Sequence, residues 1–187
     1  MTRIIGGAAG GRRLQTPRGE ATRPTSDRVR EALFSSIEAT VGPLDGLRFL
    51  DLYAGSGAVG LEAWSRGAGV VTLVEKDRRT ASLVRANAQA VGFPRADVVA
   101  GEVATVLRRR PPAPYDVAFL DPPYAVSDDD VAEVLGLLVE HDWLTPGALV
   151  VLERSSRGAA PAWPEGLWED RGRKYGETTL HYATRGR

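Results

Sequence analysis

Asp51-Leu52-Tyr53-Ala54-Gly55-Ser56-Gly57-Ala58-Val59-Gly60 decides the fold. The stretch lies where a short apolar run, residues 47–52, gives way to a helical pattern over residues 58–65 that Arg66-Gly67 closes. A strand that turns into a helix through glycines opens a βαβ unit, and the turn is its ligand corner. Gly55 and Gly57 let the backbone approach a ligand without a Cβ in the way. Glu75 follows at the end of a second apolar run, residues 70–74, where a carboxylate can accept both hydroxyl hydrogens of a ribose. The spacing Gly55-x-Gly57-x-x-Gly60 also fits a dinucleotide site. Asp51 argues against that reading, because an extra carboxylate beside an anionic pyrophosphate is unfavourable. A cofactor carrying a sulfonium and an ammonium group would be attracted to it.

Outward from this turn, strand and helix patterns alternate. Residues 77–91 are helical, with Ala81, Val84, Ala88 and Val91 on one face and Gly92 as a stop. A strand at 97–100, a helix through Leu107, a strand at 115–120, a helix at 128–139 and a strand at 148–152 follow. This order predicts an α/β domain with a largely parallel sheet covered on both faces. The tail, 168–173 and 178–183 around Lys174-Tyr175-Gly176-Glu177, reads as an antiparallel hairpin. Upstream, Thr25-Ser26-Asp27 opens a helix with Ser26 or Thr25 as N-cap, and Gly42-Pro43 ends it. The Gly-, Arg- and Thr-rich residues before it read as an arm, with a hairpin as one form of it, rather than core. The expected division is an arm over 1–25 and a catalytic domain over 26–187.

Asp121-Pro122-Pro123-Tyr124 follows the strand at 115–120, on the same rim as Gly55 and Glu75. Neither proline can donate a hydrogen bond, and together they stiffen the loop, leaving the Pro122 carbonyl free to accept. These residue types suit methylation of a conjugated amine. Such a nitrogen delocalises its lone pair into the ring and must pyramidalise before it attacks. Asp121 and the Pro122 carbonyl can each accept one N–H and aim the lone pair, while Tyr124 stacks on a base drawn out of its stack. The motif does not separate the adenine 6-amine from the guanine 2-amine.

Composition sets the bounds. The chain has 187 residues, 43% apolar and 26% charged, which fits a folded domain and argues against long disorder. No stretch reaches the roughly 18 apolar residues of a membrane span, and no secretory signal is visible, so the cytoplasm is the expected location. Cysteine is absent, which removes disulfides, thiolate metal sites and cysteine nucleophiles. Two histidines, His141 and His181, argue against a His-rich metal site, and no metal is expected. The net charge of zero hides an uneven distribution. Residues 1–30 hold seven arginines against Glu20 and Asp27, while residues 121–142 hold seven acids and no Lys or Arg. A basic arm can follow a phosphate backbone or be merely solvated.

Asp51-Leu52-Tyr53-Ala54-Gly55-Ser56-Gly57 resembles motif I of class I methyltransferases, and Asp121-Pro122-Pro123-Tyr124 resembles motif IV of amino-methyltransferases. Three further segments occur in order with them: Arg3-Ile4-Ile5-Gly6-Gly7, Gly11-Arg12-Arg13-Leu14, and Arg23-Pro24-Thr25-Ser26-Asp27-Arg28-Val29-Arg30-Glu31-Ala32-Leu33-Phe34. With Val74-Glu75-Lys76-Asp77 and Lys174-Tyr175-Gly176-Glu177-Thr178, the whole chain resembles the RsmD-like family, bacterial methyltransferases of guanine N2 in small-subunit ribosomal RNA. The resemblance implies a Rossmann-like fold with a mostly parallel seven-stranded sheet, S-adenosylmethionine as cofactor, and guanine-966 of 16S rRNA, in the small subunit or an assembly intermediate, as target. It implies a cofactor site of Asp51, Tyr53, Ala54, Gly55, Gly57, Glu75, Lys76, Glu102, Val103 and Asp121, with Asp121, Pro122 and Tyr124 catalytic. Glu102 stands where the family often has Asp against the adenine, and a surface helix cap is its other reading. Arg3, Arg12, Arg13, Arg23, Thr25, Arg28, Pro123, Lys174 and Tyr175 are the RNA candidates. Lys174 and Tyr175 are equally explained as a hairpin turn, and Arg30–Glu31 have a structural reading. The Gly6-Gly7-Ala8-Ala9-Gly10 stretch departs from the bulkier or basic residues expected in the arm. A monomer is expected, there being no obvious apolar seam. Three rivals remain: a DNA adenine methyltransferase, for whose reading module the chain has little room, a nicotinamide oxidoreductase, and a non-catalytic RNA-binding protein.

Overall fold

A computed structural model describes residues 2–18 and 26–187. Apolar residues alternate sides along each central strand, and this alternation builds three layers. Phe49, Val117, Phe119, Leu149 and Val151 pack on one face, under helices α1 (Asp27–Val41), α2 (Ala58–Ser65) and α3 (Arg78–Ala90). Leu50, Ala118, Leu120, Val150 and Leu152 face α4 (Val103–Leu107) and α5 (Asp128–Glu140) on the other.

Nine strands form two sheets among the described residues. β1 (Thr2–Arg3) pairs with β2 (Arg13–Leu14) in a small antiparallel ribbon. The main sheet contains β3 (Arg48–Leu52), β4 (Val70–Glu75), β5 (Asp97–Ala100), β6 (Tyr115–Leu120), β7 (Leu144–Ser155), β8 (Leu167–Tyr175) and β9 (Thr178–Arg185), in the order β5-β4-β3-β6-β7-β9-β8. β3 to β7 are parallel, and β9 is antiparallel to both β7 and β8. The strand order reverses between β3 and β6, the topological switch point at which such sheets hold ligands. Leu52 lies opposite Val74 and Leu120, so the β3, β4 and β6 loops leave the sheet side by side.

Local signals account for the helix starts. The Ser26 side chain caps α1 by accepting from the Val29 N–H at 3.2 Å. Asp77 caps α3 and Ser127 caps α5 in the same way. β7 is longer than its apolar run suggests, because Pro146-Gly147 and a register shift near Tyr115 interrupt its pattern, and its polar end is held by β9.

The arm is a correction to the sequence reading. Ile4, Ala9 and Leu14 are fully buried in the same cluster as Leu33 and Phe34, so much of the described arm is core. The small residues explain its seating. The Ser65 carbonyl accepts from Ala8 N–H at 2.8 Å, and a Cβ on Gly7, at φ +76°, would stand 1.9 Å from that oxygen. Glu62 on α2 accepts from the Ile5 and Gly6 N–H groups at 2.8 and 2.9 Å. Gly6 and Gly7 thus serve close packing on the end of α2, where bulk would not fit, while a Cβ on Gly10 would crowd the arm's own turn. Arg30 and Glu31 take structural roles: Arg30 is buried against Glu62 at 3.4 Å, and Glu31 pairs with Arg66 at 3.0 Å.

Candidate active site

The β3 loop leaves its strand through strained backbone. Tyr53 sits at φ +60°, a region costly for a residue with a Cβ, and Gly55 follows at φ +57°. The Ala54 N–H donates to Val74 O at 2.9 Å, which fastens the loop to β4. Gly55 faces open space, since a Cβ added there would meet nothing within 4 Å. Gly57 does not: a Cβ there would lie 2.9 Å from Val84 Cγ1, and its φ of +84° starts α2. The absence of a side chain there lets α3 pack against the start of α2. Gly60 brings α2 onto β3, where its N–H donates to Asp51 Oδ2 at 2.9 Å.

Three carboxylates converge beside this loop. Asp51 is 1% exposed, and burial pushes its pKa up to about 8 despite the Gly60 hydrogen bond, with charge on Asp121 and Glu75 raising it further. Asp121, directly after β6, is raised to about 7 by burial and pulled back by the Arg154 guanidinium. Glu75 Oε2 accepts from the Gly55 N–H at 2.9 Å and Oε1 from the Asp77 N–H at 3.1 Å. Each oxygen keeps a lone pair for a further donor. Such a cluster attracts a cation and repels a pyrophosphate, so the residues fit a sulfonium-bearing cofactor and not a dinucleotide.

The other sequence-predicted residues divide. Glu102 is exposed at the N-cap position of α4 but makes no side-chain cap bond, so its carboxylate remains available on the rim. Val103 is 3% exposed inside the second core cluster, which leaves its backbone rather than its side chain to face a cofactor. Lys76 is exposed beside Glu75. Pro122 is buried and Pro123 exposed, and no hydrogen bond among the described residues ends on the Pro122 carbonyl. Tyr124 is 70% exposed, its ring standing at the rim.

Arg28, Lys174 and Tyr175, with Ser26, Val29 and Gly176, line a cleft of about 320 Å³ between α1 and the β8–β9 turn. That turn shares the rim of Asp121, because β8 runs parallel to β7. Lys174 and Tyr175 are therefore both hairpin end and cleft wall. In the arm, Arg3 Nε pairs with Asp27 at 3.1 Å and Arg12 donates to Ala90 O at 3.2 Å, while Arg13 is exposed. Arg23 and Thr25 lie outside the described residues.

Arg154 was not visible as a site residue in the sequence. It ends the apolar part of β7, donates to Val126 O at 3.2 Å and pairs with Asp128 at 2.8 Å. It thereby ties down the far end of the Asp121–Tyr124 loop.

A family model described as conserved hypothetical protein 95 matches residues 2–184. The chain belongs to the RsmD-like methyltransferase family. This RsmD-like chain is 36% identical over 162 residues to the ribosomal RNA small subunit methyltransferase D of Escherichia coli strain K12, covering 87% of this chain and 79% of that protein. The solved Escherichia coli protein yhhF superposes with a TM-score of 0.87 at 32% identity, covering 99% of this chain and 98% of that one. The Thermus thermophilus 16S rRNA N2 G1207 methyltransferase RsmC, solved with AdoMet and guanosine, gives a TM-score of 0.67 at 20% identity over 89% of this chain and 45% of its own, a likeness of fold alone. The RsmD-like chain is a class I methyltransferase, and its cofactor is S-adenosylmethionine.

Proposed function

We propose that the protein methylates the N2 amine of a guanine in 16S rRNA, guanine-966 by family resemblance, within the small ribosomal subunit or an assembly intermediate. The observation that carries this reading is the placement of Asp121 and the Pro122 carbonyl on the rim that holds Asp51, Gly55 and Glu75. The names of relatives such as the Escherichia coli small subunit methyltransferase D support the RNA substrate.

When bound, S-adenosylmethionine supplies an electrophilic methyl group on a sulfonium. Glu75 would hold the ribose hydroxyls, with Lys76 flanking it, and Asp51, ionised by the cation it faces, would add negative charge beneath the glycine loop. Glu102 reaches the adenine. Asp121 and the Pro122 carbonyl each accept one N–H of the guanine amine, which aims its lone pair and favours pyramidalisation. Tyr124 stacks on the extruded base, with Pro123 beside it. Asp121 or a water takes the departing proton. Arg28, Lys174 and Tyr175 hold the flanking RNA, and Arg3, Arg12 and Arg13 contact its backbone. No step draws on a metal, and among the described residues no group of acids and histidines is arranged to hold one. No helix of the described residues is long and apolar enough to cross a membrane. All these groups belong to one chain, so a monomer suffices, working in the cytoplasm where its RNA is found.

The test is methyl transfer from labelled cofactor to small subunits lacking the modification and to naked 16S rRNA, followed by nucleoside analysis and mass mapping. The expected product is N2-methylguanosine at position 966. Label in N6-methyladenosine, or none in rRNA, overturns the reading.

A further inference from the structure

The arm and the glycine loop share one buried side chain. Asn87, on α3, is 2% exposed. Its Oδ1 accepts from the Gln15 N–H at 2.9 Å, and its Nδ2 donates to the Gln15 carbonyl at 2.9 Å and to the Ser56 carbonyl at 2.9 Å. Both amide hydrogens are used, and the orientation is fixed chemically, because the reverse one would set NH₂ against an N–H. Gln15 directly follows β2, which carries Arg13 next to Arg12. Ser56 lies between Gly55 and Gly57 in the cofactor loop.

We propose that Asn87 is a positioning residue that couples the N-terminal arm to the glycine loop, so that RNA and cofactor each tighten the binding of the other. The proposal rests on the reading of the arm as an RNA contact. A buried amide deprived of one partner is left with an unsatisfied polar group, so the arm and the loop hold their docked positions together or loosen together. RNA engages Arg12 and Arg13 in the arrangement that keeps Gln15 on Asn87. That arrangement also holds the Ser56 peptide, and with it the neighbouring backbone of Gly55, which faces open space. Glu62 adds a second tie, from Ile5 and Gly6 to α2, but it does not touch the loop. Reciprocity requires one coupling factor, whichever ligand binds first.

The experiment measures the affinity of labelled S-adenosylhomocysteine with and without saturating small subunits that lack the modification. It compares the full chain with Asn87→Ala and with Gln15→Pro, which removes the arm's N–H and leaves α3 untouched. Thermal melting identifies a variant that fails to fold, in which case the other variant decides. In the unaltered protein the subunit is expected to tighten cofactor binding about five-fold or more. In the variants the ratio returns toward one, and Asn87→Ala, which also loses the bond to Ser56, binds S-adenosylhomocysteine alone more weakly than Gln15→Pro does. A merely structural role would weaken either affinity without changing their ratio. A ratio preserved in a folded variant, or a ratio of one in the unaltered protein with subunits bound, overturns the coupling alone. Failure of the unaltered protein to bind subunits overturns the RNA reading and the coupling together.

Discussion

Asp51, Glu75 and Asp121 illustrate how burial prepares a site for a cation. Asp51 is raised to about 8 and Asp121 to about 7, both chiefly by burial. The folded state therefore holds protons that the unfolded chain has already released, and these two groups make folding less favourable as pH rises from about 4 to about 8. A bound cation favours the ionised carboxylates and reverses the effect. Binding of S-adenosylmethionine near neutral pH is therefore expected to release protons and to tighten with rising pH over that window. S-adenosylhomocysteine lacks the sulfonium charge and should release fewer. Calorimetry in buffers of different ionisation enthalpy reads this directly, and equal proton release by the two would remove the electrostatic role given to the carboxylates.

Whole elements depend on contacts that no period reveals. The strands and helices of the main sheet were legible because their apolar residues repeat, as with Val131, Val134, Leu135 and Leu138 on α5. The arm's buried residues, Ile4, Ala9 and Leu14, are isolated in sequence, so the arm read as an appendage. Its docking relies on the absence of a side chain at Gly7. Gly7→Ala forces the Ser65 carbonyl or the arm backbone to move, and stability should fall by about 1–3 kcal/mol. Amide exchange at Ile5, Gly6, Ala8 and Ala9 should accelerate more than in β3 to β7. Denaturant unfolding and hydrogen exchange measure both, and unchanged protection in the arm would show that its seating does not depend on this close approach.

At the scale of the molecule, one rim gathers acids at its centre with Arg28 and Lys174 in the neighbouring cleft, while Arg12 and Arg13 lie on the arm that packs against α2 and α3. Arg12→Glu with Arg13→Glu should weaken subunit binding and flatten its dependence on salt, by about 0.7 in slope for each phosphate no longer neutralised. Binding that stays unchanged across salt concentrations would make the arm a packing element only. The rim itself was legible, because glycines after one strand and Asp-Pro-Pro-Tyr after another are set side by side by parallel topology. Arg154 and Asn87 were not, since a single arginine and a single asparagine carry no spacing, and only folding brings them to the loops they hold. The central claim is that this rim performs the transfer through Asp121. Single-turnover methyl transfer by Asp121→Ala, with S-adenosylhomocysteine affinity measured on the same protein, tests it. The account predicts at least about 100-fold slower transfer with cofactor affinity largely kept, and near-normal transfer by that variant would contradict it.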